Sequence, residues 1–225
     1  MDGTSVSYQS VIISITDRCS WAQASTAPNR LYKHYTTEGG IRVPFVMRYP
    51  GFTQHAPGTV CHAFTTAMDI LPTFLDLAAI RHPNHSPAHP RAVAPYRDRH
   101  VYPMRGKSWV PYFRDGIAPG SSKDSRTDQA QIHESIYGDE GAIVAWEHYG
   151  KAAIRSGQWK IVNMPTEHPT GTGQWELYDM YSDQGETRDL SAEKPEVVRD
   201  LLEEWKKWLV ETGTHYTAPL TTNEE

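Results

Sequence analysis

Cysteine is scarce in this chain of 225 residues, which contains Cys19 and Cys61 and no other. Two cysteines cannot form a disulfide framework, and neither has a second cysteine three positions away, as zinc-binding pairs do. Runs of eighteen apolar residues are also missing, so the sequence predicts no membrane span. The short apolar patch at residues 11–15 has no basic residue before it, and we expect no signal peptide there.

An excess of positive charge is absent too. The chain has 22 basic and 27 acidic residues, for a net charge of −5, and the basic residues are scattered. This balance argues against nucleic acid or an anionic membrane surface as a partner. Seven Trp, twelve Tyr and five Phe indicate a folded globular chain rather than a disordered one.

A strand followed by a helix is predicted in the first half of the chain. Residues 41–49 alternate apolar and polar side chains, which is typical of a strand, and Pro44 places that strand at an edge or a bulge. Residues 68–80, MDILPTFLDLAAI, place their apolar side chains on one helical face, with Asp69 as N-cap and Pro72 in the first turn. The order of strand and helix indicates an α/β layer.

Two polar stretches are predicted to be connections. Residues 82–100 are rich in Pro, His and Arg and are expected to be loop, and residues 118–131 are expected to be a linker. The prolines forbid the helix that would bring His82, His85 and His89 together, so we assign no metal site to them.

The second half of the chain has a different pattern. Short β-like runs broken at Gly150 and Gly157 predict an antiparallel meander. Residues 195–212 follow with an apolar stripe at helical spacing, and Gly213 is suited to the end of that helix.

Residues 33–44, KHYTTEGGIRVP, carry the most specific motif. This segment resembles the type I sulfatases, in particular the arylsulfatases, in which a Lys-x-x-x-x-Glu-Gly-Gly-x-Arg-x-Pro segment carries the lysine that holds the substrate sulfate. The resemblance continues in chain order through MDILPTFLDLAAI, MRGKSWVPYFRDG, YGKAAIRSGQWKIV and the run that begins WELYDMY. It extends from about Trp21 to Gly213.

The resemblance implies an α/β fold: the C-terminal part of an alkaline-phosphatase-like sulfatase domain plus a small α+β subdomain, an antiparallel sheet with a terminal helix. It divides the chain into a segment outside the family (residues 1–20), the last part of the large domain (21–130) and the small subdomain (131–225). Lys33 is the expected sulfate-binding residue, because an ammonium group is a compact charge that can stabilise sulfate oxygens. Glu38 and Arg42 are expected to form an ion pair that braces the turn.

The pentapeptide TAPNR, residues 26–30, has the spacing of the C/S-x-P-x-R motif in which sulfatases form their formylglycine nucleophile. Threonine in first place would give a ketone rather than an aldehyde, and the resemblance places this segment just before the lysine motif. We therefore predict that TAPNR is a turn. The chain has no other C/S-x-P-x-R segment, and it lacks the Asp-Asp and Asp-Asn pairs that bind calcium in complete family members.

These absences predict no catalytic residue and no metal ligand in this chain, so it is expected to be inactive alone. Calcium and formylglycine are expected only in a complete family member, whose ligand would be a sulfate-ester small molecule or a sulfated glycan. Two alternatives stay open: a non-catalytic protein that binds sulfated ligands or complements a separate partner chain, and a phosphodiesterase or phosphonate hydrolase of the same superfamily. The sequence assigns no cellular location.

Overall fold

The computed structural model describes residues 20–51, 60–61, 63–84, 93–115, 136–137 and 143–216. Residues 20–26 are helical, and the helices that follow are α1 (Glu38–Ile41), α2 (Ile70–Leu77), which a 3-10 turn (Ala67–Asp69) precedes, α3 (Val110–Asp115) and α4 (Pro195–Thr212). The strands are β1 (Ala94–Tyr96), β2 (Arg99–Val101), β3 (Ile143–His148), β4 (Lys151–Ser156), β5 (Trp159–Asn163) and β6 (Trp175–Asp179).

Strands β3 to β6 form an antiparallel meander in which each strand pairs with the next along the chain. Gly150 and Gly157 make the first two turns with φ of 77° and 55°, a left-handed conformation that glycine adopts without steric cost. The antiparallel sheet therefore lies where the short β-like runs predicted it.

Helix α4 covers one face of this sheet. Its buried side chains are Val198, Leu201, Leu202 and Trp205, and they pack against Ala152, Ile154, Ile161, Trp175 and Leu177 of the sheet. The helix ends at Gly213, whose φ is 66°, as the sequence predicted. This apolar layer is the main core of the C-terminal half.

The buried carboxylate of Asp69 organises the region around α2 and α3. It accepts hydrogen bonds from the backbone N–H groups of Thr66 (2.6 Å) and Lys107 (2.8 Å) and from the Tyr137 hydroxyl (2.5 Å). Asp69 occupies the predicted N-cap position of α2, but its carboxylate makes no cap bond to that helix. It joins the start of α2 to the loop before α3 instead.

Two local predictions are wrong. Residues 42–49 pair with no strand among the described residues, and Val43, Phe45 and Val46 are exposed. The alternating pattern is that of a strand, but a strand is defined by a hydrogen-bonded neighbour, which the described part of the chain does not supply. Conversely, β1 and β2 form a hairpin within the stretch that was predicted to be loop.

The described residues fall into two compact units. Residues up to Phe45 group with those from Ile143 onward, and Val46 to Tyr137 form the second unit. The histidines His85 and His89 and the predicted linker at 118–131 lie outside the described residues. Among the helices that are described, none combines the length and the apolar character that crossing a membrane requires.

Helix α2 turns apolar side chains to solvent, which generates a prediction. Leu71 and Phe74 are 54% and 57% exposed, whereas Thr73 is buried and bridges the Asp69 carbonyl and the Trp109 N–H. Replacing Leu71 and Phe74 together by Ser should lower the self-association of the isolated chain and its binding of a fluorescent dye that recognises exposed apolar surface. It should change the free energy of unfolding by no more than about 0.5 kcal/mol, because these side chains bury little surface.

Thr73→Val on the same helix is the matched control and should cost about 1 kcal/mol, since it removes the hydroxyl that accepts the Trp109 N–H. Light scattering and thermal melts of the three proteins make the comparison. If the serine variant lost as much stability as Thr73→Val, Leu71 and Phe74 would not lie on an exposed face of α2.

Candidate functional site

The segment that contains Lys33 covers the second face of the meander. Four side chains point to this face: Trp146, Ala153, Val162 and Tyr178. They are cross-strand neighbours in the register of the sheet, and along each strand they alternate with the residues that contact α4. Leu31 and Tyr35 pack against this second cluster. The sheet is therefore a platform with the terminal helix on one side and the lysine-bearing turn on the other.

A buried lysine joins the turn to the sheet. Lys160 of β5 is fully buried, and its Nζ donates to Glu38 Oε1 (2.9 Å) and to Glu186 Oε1 (2.7 Å). The other carboxylate oxygen of Glu186 accepts the backbone N–H of Glu38 at 3.2 Å. The first residue of α1 is thus held by its side chain to Lys160 of the sheet and by its backbone N–H to Glu186.

The two carboxyls of this network differ in electrostatic state. Burial raises the pKa of Glu38, but the charge and hydrogen bond of Lys160, with Arg155 and Arg42 beyond it, outweigh burial, so the pKa of Glu38 is lowered from 4.5. For Glu186 burial prevails over Lys160, and the charge of Glu38 adds to it, so its pKa is raised. Both carboxyls accept from Lys160, but burial and mutual repulsion act more strongly on the pKa of Glu186 than on that of Glu38.

The predicted Glu38–Arg42 ion pair is wrong. Glu38 pairs with Lys160, and the Arg42 guanidinium donates to the side chain of Gln184. Arg42 acts on Glu38 only as a more distant positive charge. The short sequence separation of Glu38 and Arg42 suggested a pair, but the fold offers Glu38 a closer cation from another part of the chain.

The two glycines after Glu38 allow the backbone to pack tightly. A Cβ atom on Gly39 would lie 1.9 Å from the Leu31 carbonyl oxygen, and one on Gly40 would lie 2.1 Å from that of Tyr35. Neither glycine has a positive φ, so close approach rather than turn conformation requires them. The Gly39 N–H donates to the Arg30 carbonyl at 2.9 Å, which closes the loop that carries Lys33.

Lys33 itself lies at the exposed tip of this loop. Among the described residues, no carboxylate forms an ion pair with it. Its backbone is fixed from both sides, because Gly39 binds Arg30 and the Thr36 hydroxyl donates to the Ala152 carbonyl at 3.1 Å. The arrangement presents an ammonium group to solvent on a loop that is anchored at its base, and it leaves the sulfate-binding role of Lys33 as a prediction.

The TAPNR segment is a turn, as predicted. The Thr26 hydroxyl donates to the Leu31 carbonyl at 2.7 Å, and its backbone carbonyl accepts the Asn29 N–H. Arg30 extends to the sheet, where its guanidinium lies 2.7 Å from Glu176 and 2.8 Å from the Tyr178 hydroxyl. The segment anchors the lysine loop to β6, a role that sequence reasoning did not assign to it.

Further polar groups line the sheet edge beside the loop tip. His34 approaches His148 of β3, and the Tyr35 hydroxyl lies 2.9 Å from His168 Nε2. Burial lowers the pKa of His168, and the positive charges of Lys151 and Arg30 lower it further. This edge of the site is therefore electropositive.

The described residues do not fit the metal site of a complete sulfatase. No three His, Cys, Asp or Glu side chains in the described part of the chain are grouped closely enough to hold a metal ion. We therefore assign no step of the chemistry to calcium in this chain.

Comparison with known proteins shows which family this chain resembles. Residues 4–80 match the family model Sulfatase. The match includes residues 4–20, which lie ahead of Trp21, the point from which the motifs quoted above carry the resemblance. The chain is 36% identical over 199 residues to an uncharacterized sulfatase of Schizosaccharomyces pombe. The aligned region covers 88% of this chain and 30% of that protein.

Two further comparisons agree. The chain is 25% identical over 181 residues to an N-acetylglucosamine-6-O-sulfatase of Bacteroides thetaiotaomicron, with 78% of this chain and 26% of that protein covered. The crystal structure of Ps i-CgsB superposes with a TM-score of 0.55 at 24% identity over 82% of this chain and 32% of that one, which indicates a shared fold. The predicted resemblance is confirmed: the chain is similar to sulfatases in sequence and fold, and it spans about 30% of the length of its curated relatives.

The buried network generates a prediction about stability. Lys160→Met should cost about 3–5 kcal/mol at neutral pH, because it leaves two carboxyls buried without their cation. Glu38→Gln should cost more than Glu186→Gln, since the net effect of the surroundings lowers the pKa of Glu38 and raises that of Glu186. Urea unfolding followed by Trp fluorescence measures this, because all tryptophans except Trp109 lie outside residues 46–141.

The same variants test the pH dependence. Glu38 has a lowered pKa in the folded state, so its contribution is present above pH 4.5 and is lost as the pH falls below it. Glu186 has a raised pKa, so its contribution is present below pH 4.5 and is lost as the pH rises. Glu186→Gln should thus gain stability relative to wild type as the pH rises, whereas the cost of Glu38→Gln should shrink in acid. The opposite pH dependence of the two variants would contradict the lowered pKa of Glu38 and the raised pKa of Glu186.

Proposed function

We propose that this chain supplies the C-terminal part of an arylsulfatase-like enzyme, which hydrolyses sulfate esters when complete. Residues 21–130 would form the last part of the large domain, and residues 131–225 its small subdomain of antiparallel sheet and terminal helix. The observation that carries the proposal is Lys33, an exposed lysine that forms no ion pair with a described residue and precedes a Glu-Gly-Gly turn that a buried charge network anchors.

The chemical role of Lys33 is electrostatic. An ammonium at the tip of an anchored loop can contact sulfate oxygens and stabilise negative charge on the group that is transferred. Because Gly39, Thr36 and Glu38 hold the loop, little reorganisation is needed when the sulfate binds. In complete sulfatases, as the resemblance implies, formylglycine supplies the nucleophile and calcium the main positive charge. This chain contributes the binding lysine.

Sulfated sugars are the first ligands to test. One relative is an N-acetylglucosamine-6-O-sulfatase, and Ps i-CgsB was also crystallised in complex with a neocarrahexaose. We therefore choose N-acetylglucosamine 6-sulfate as a probe that carries one sulfate.

Lys33→Ala should weaken binding of this sugar by about tenfold or more, because it removes a charge-assisted hydrogen bond to sulfate. It should leave the urea midpoint unchanged, since the side chain is exposed and makes no ion pair with a described residue. Lys206→Ala, on the exposed side of α4, is the control and should bind like wild type. Equal affinities in all three proteins, measured by ligand-observed NMR, would refute the sulfate-binding role.

The 225-residue chain should show no sulfatase turnover, because it has neither a C/S-x-P-x-R segment nor the aspartate pairs. An aryl sulfate assay checks this with the Lys33→Ala variant as background. Turnover above that background would overturn the inactive-fragment proposal.

A non-catalytic role is the second candidate, and the anchored lysine favours it as well, since binding a sulfated ligand needs no nucleophile. The two candidates separate when the chain is mixed with a partner that carries the N-terminal part of a sulfatase. Restored hydrolysis that requires Lys33 supports the enzyme, and binding without restored hydrolysis supports the alternative.

A further inference from the structure

Two exposed histidines face each other beside Lys33. His34 Nδ1 lies 3.4 Å from His148 Nε2, and the rings stack with centroids 5.6 Å apart and an angle of 24° between their planes. His34 follows Lys33 directly in the lysine loop, and His148 ends strand β3. The pair therefore adjoins the proposed sulfate site and combines residues from two distant parts of the sequence.

His34 is held in an unusual backbone conformation. Its φ is 86°, which non-glycine residues adopt rarely, although histidine does so more often than most. Such a conformation costs free energy and persists where the surrounding structure enforces it, often at functional sites. Here the Tyr35 N–H bonded to the Tyr32 carbonyl and the Thr36 hydroxyl bonded to Ala152 enforce it.

The side chains around the histidine pair are positively charged and therefore favour an anionic ligand. Lys33 adjoins His34, and Lys151 lies opposite His148 in the β3–β4 register, with its Nζ 6.0 Å from the Tyr149 ring centroid. Lys151 Nζ also lies 5.6 Å from the ring centroid of Tyr35, which contacts His168 as well.

The carboxylates near this edge are engaged elsewhere. Glu147 points to the opposite sheet face by strand alternation, and its carboxylate accepts the Gly150 N–H at 3.0 Å. Glu176 pairs with Arg30, and Glu38 is buried with Lys160. A metal cation between the two imidazoles would face Lys33 and Lys151 without a described carboxylate to offset them, so the surroundings favour an anion.

We propose that His34 and His148 form a second anion subsite next to Lys33, and that the ligand class is a saccharide unit that carries two anionic groups. Lys33 holds one sulfate, and the histidine pair donates hydrogen bonds to the other group. This inference rests on the proposed sulfate-binding role of Lys33.

The test compares two sugars that differ at one position, N-acetylglucosamine 6-sulfate and N-sulfoglucosamine 6-sulfate. Wild type should bind the disulfated sugar about tenfold more tightly, as expected for one charge-assisted contact. His148→Gln and His34→Asn should abolish that preference and leave the affinity for the monosulfated sugar unchanged. Asparagine is chosen at position 34 because it tolerates a positive φ. Lys33→Ala should weaken both sugars.

The ratio of the two affinities is a readout that a purely structural role of the histidines would not change, because a loss of folding weakens the binding of both sugars alike. If the monosulfated sugar binds through Lys33 but the second sulfate adds nothing, the subsite is refuted and the proposed function stands. If neither sugar binds, both fall.

Discussion

The structure around Lys33 depends on one ammonium group placed between two carboxyls. Lys160 is fully buried in the sheet, and Glu38 and Glu186 reach it from outside that strand. An uncompensated charge at this depth would be strongly destabilising, so the three groups must fold together. Glu38 begins the helix that follows the lysine loop. The ion pair that compensates the buried Lys160 therefore also positions the exposed Lys33.

The sheet connects this network to everything else in its unit. One face is an apolar layer closed by α4, and the other combines the apolar packing of Leu31 and Tyr35 with polar contacts from Arg30 and Glu38. An apolar face stabilises without direction, whereas ion pairs and hydrogen bonds fix position. This combination explains how the lysine loop can be placed accurately.

Local features were predictable from the sequence, and distant pairings were not. Helices α2 and α4 and the meander follow from periodicity within a few residues, and Gly213 marks a helix end. Lys160 and Glu38 are 122 residues apart, so no spacing rule pairs them, although a lysine in an inward-facing strand position was a detectable signal. The alternating pattern at 41–49 predicted a strand, but residues 42–49 pair with no strand among the described residues. The hairpin at β1 and β2 was missed because prolines and histidines dominate its surroundings.

The central claim is that the buried network positions Lys33, and a double-mutant cycle tests it most directly. Binding of N-acetylglucosamine 6-sulfate would be measured for wild type, Glu38→Gln, Lys33→Ala and the double variant, under conditions in which all four are folded. The account predicts strong non-additivity: Glu38→Gln weakens binding when Lys33 is present and has little effect once it is gone. Additive effects would show that the network and the lysine act independently, and would contradict the account.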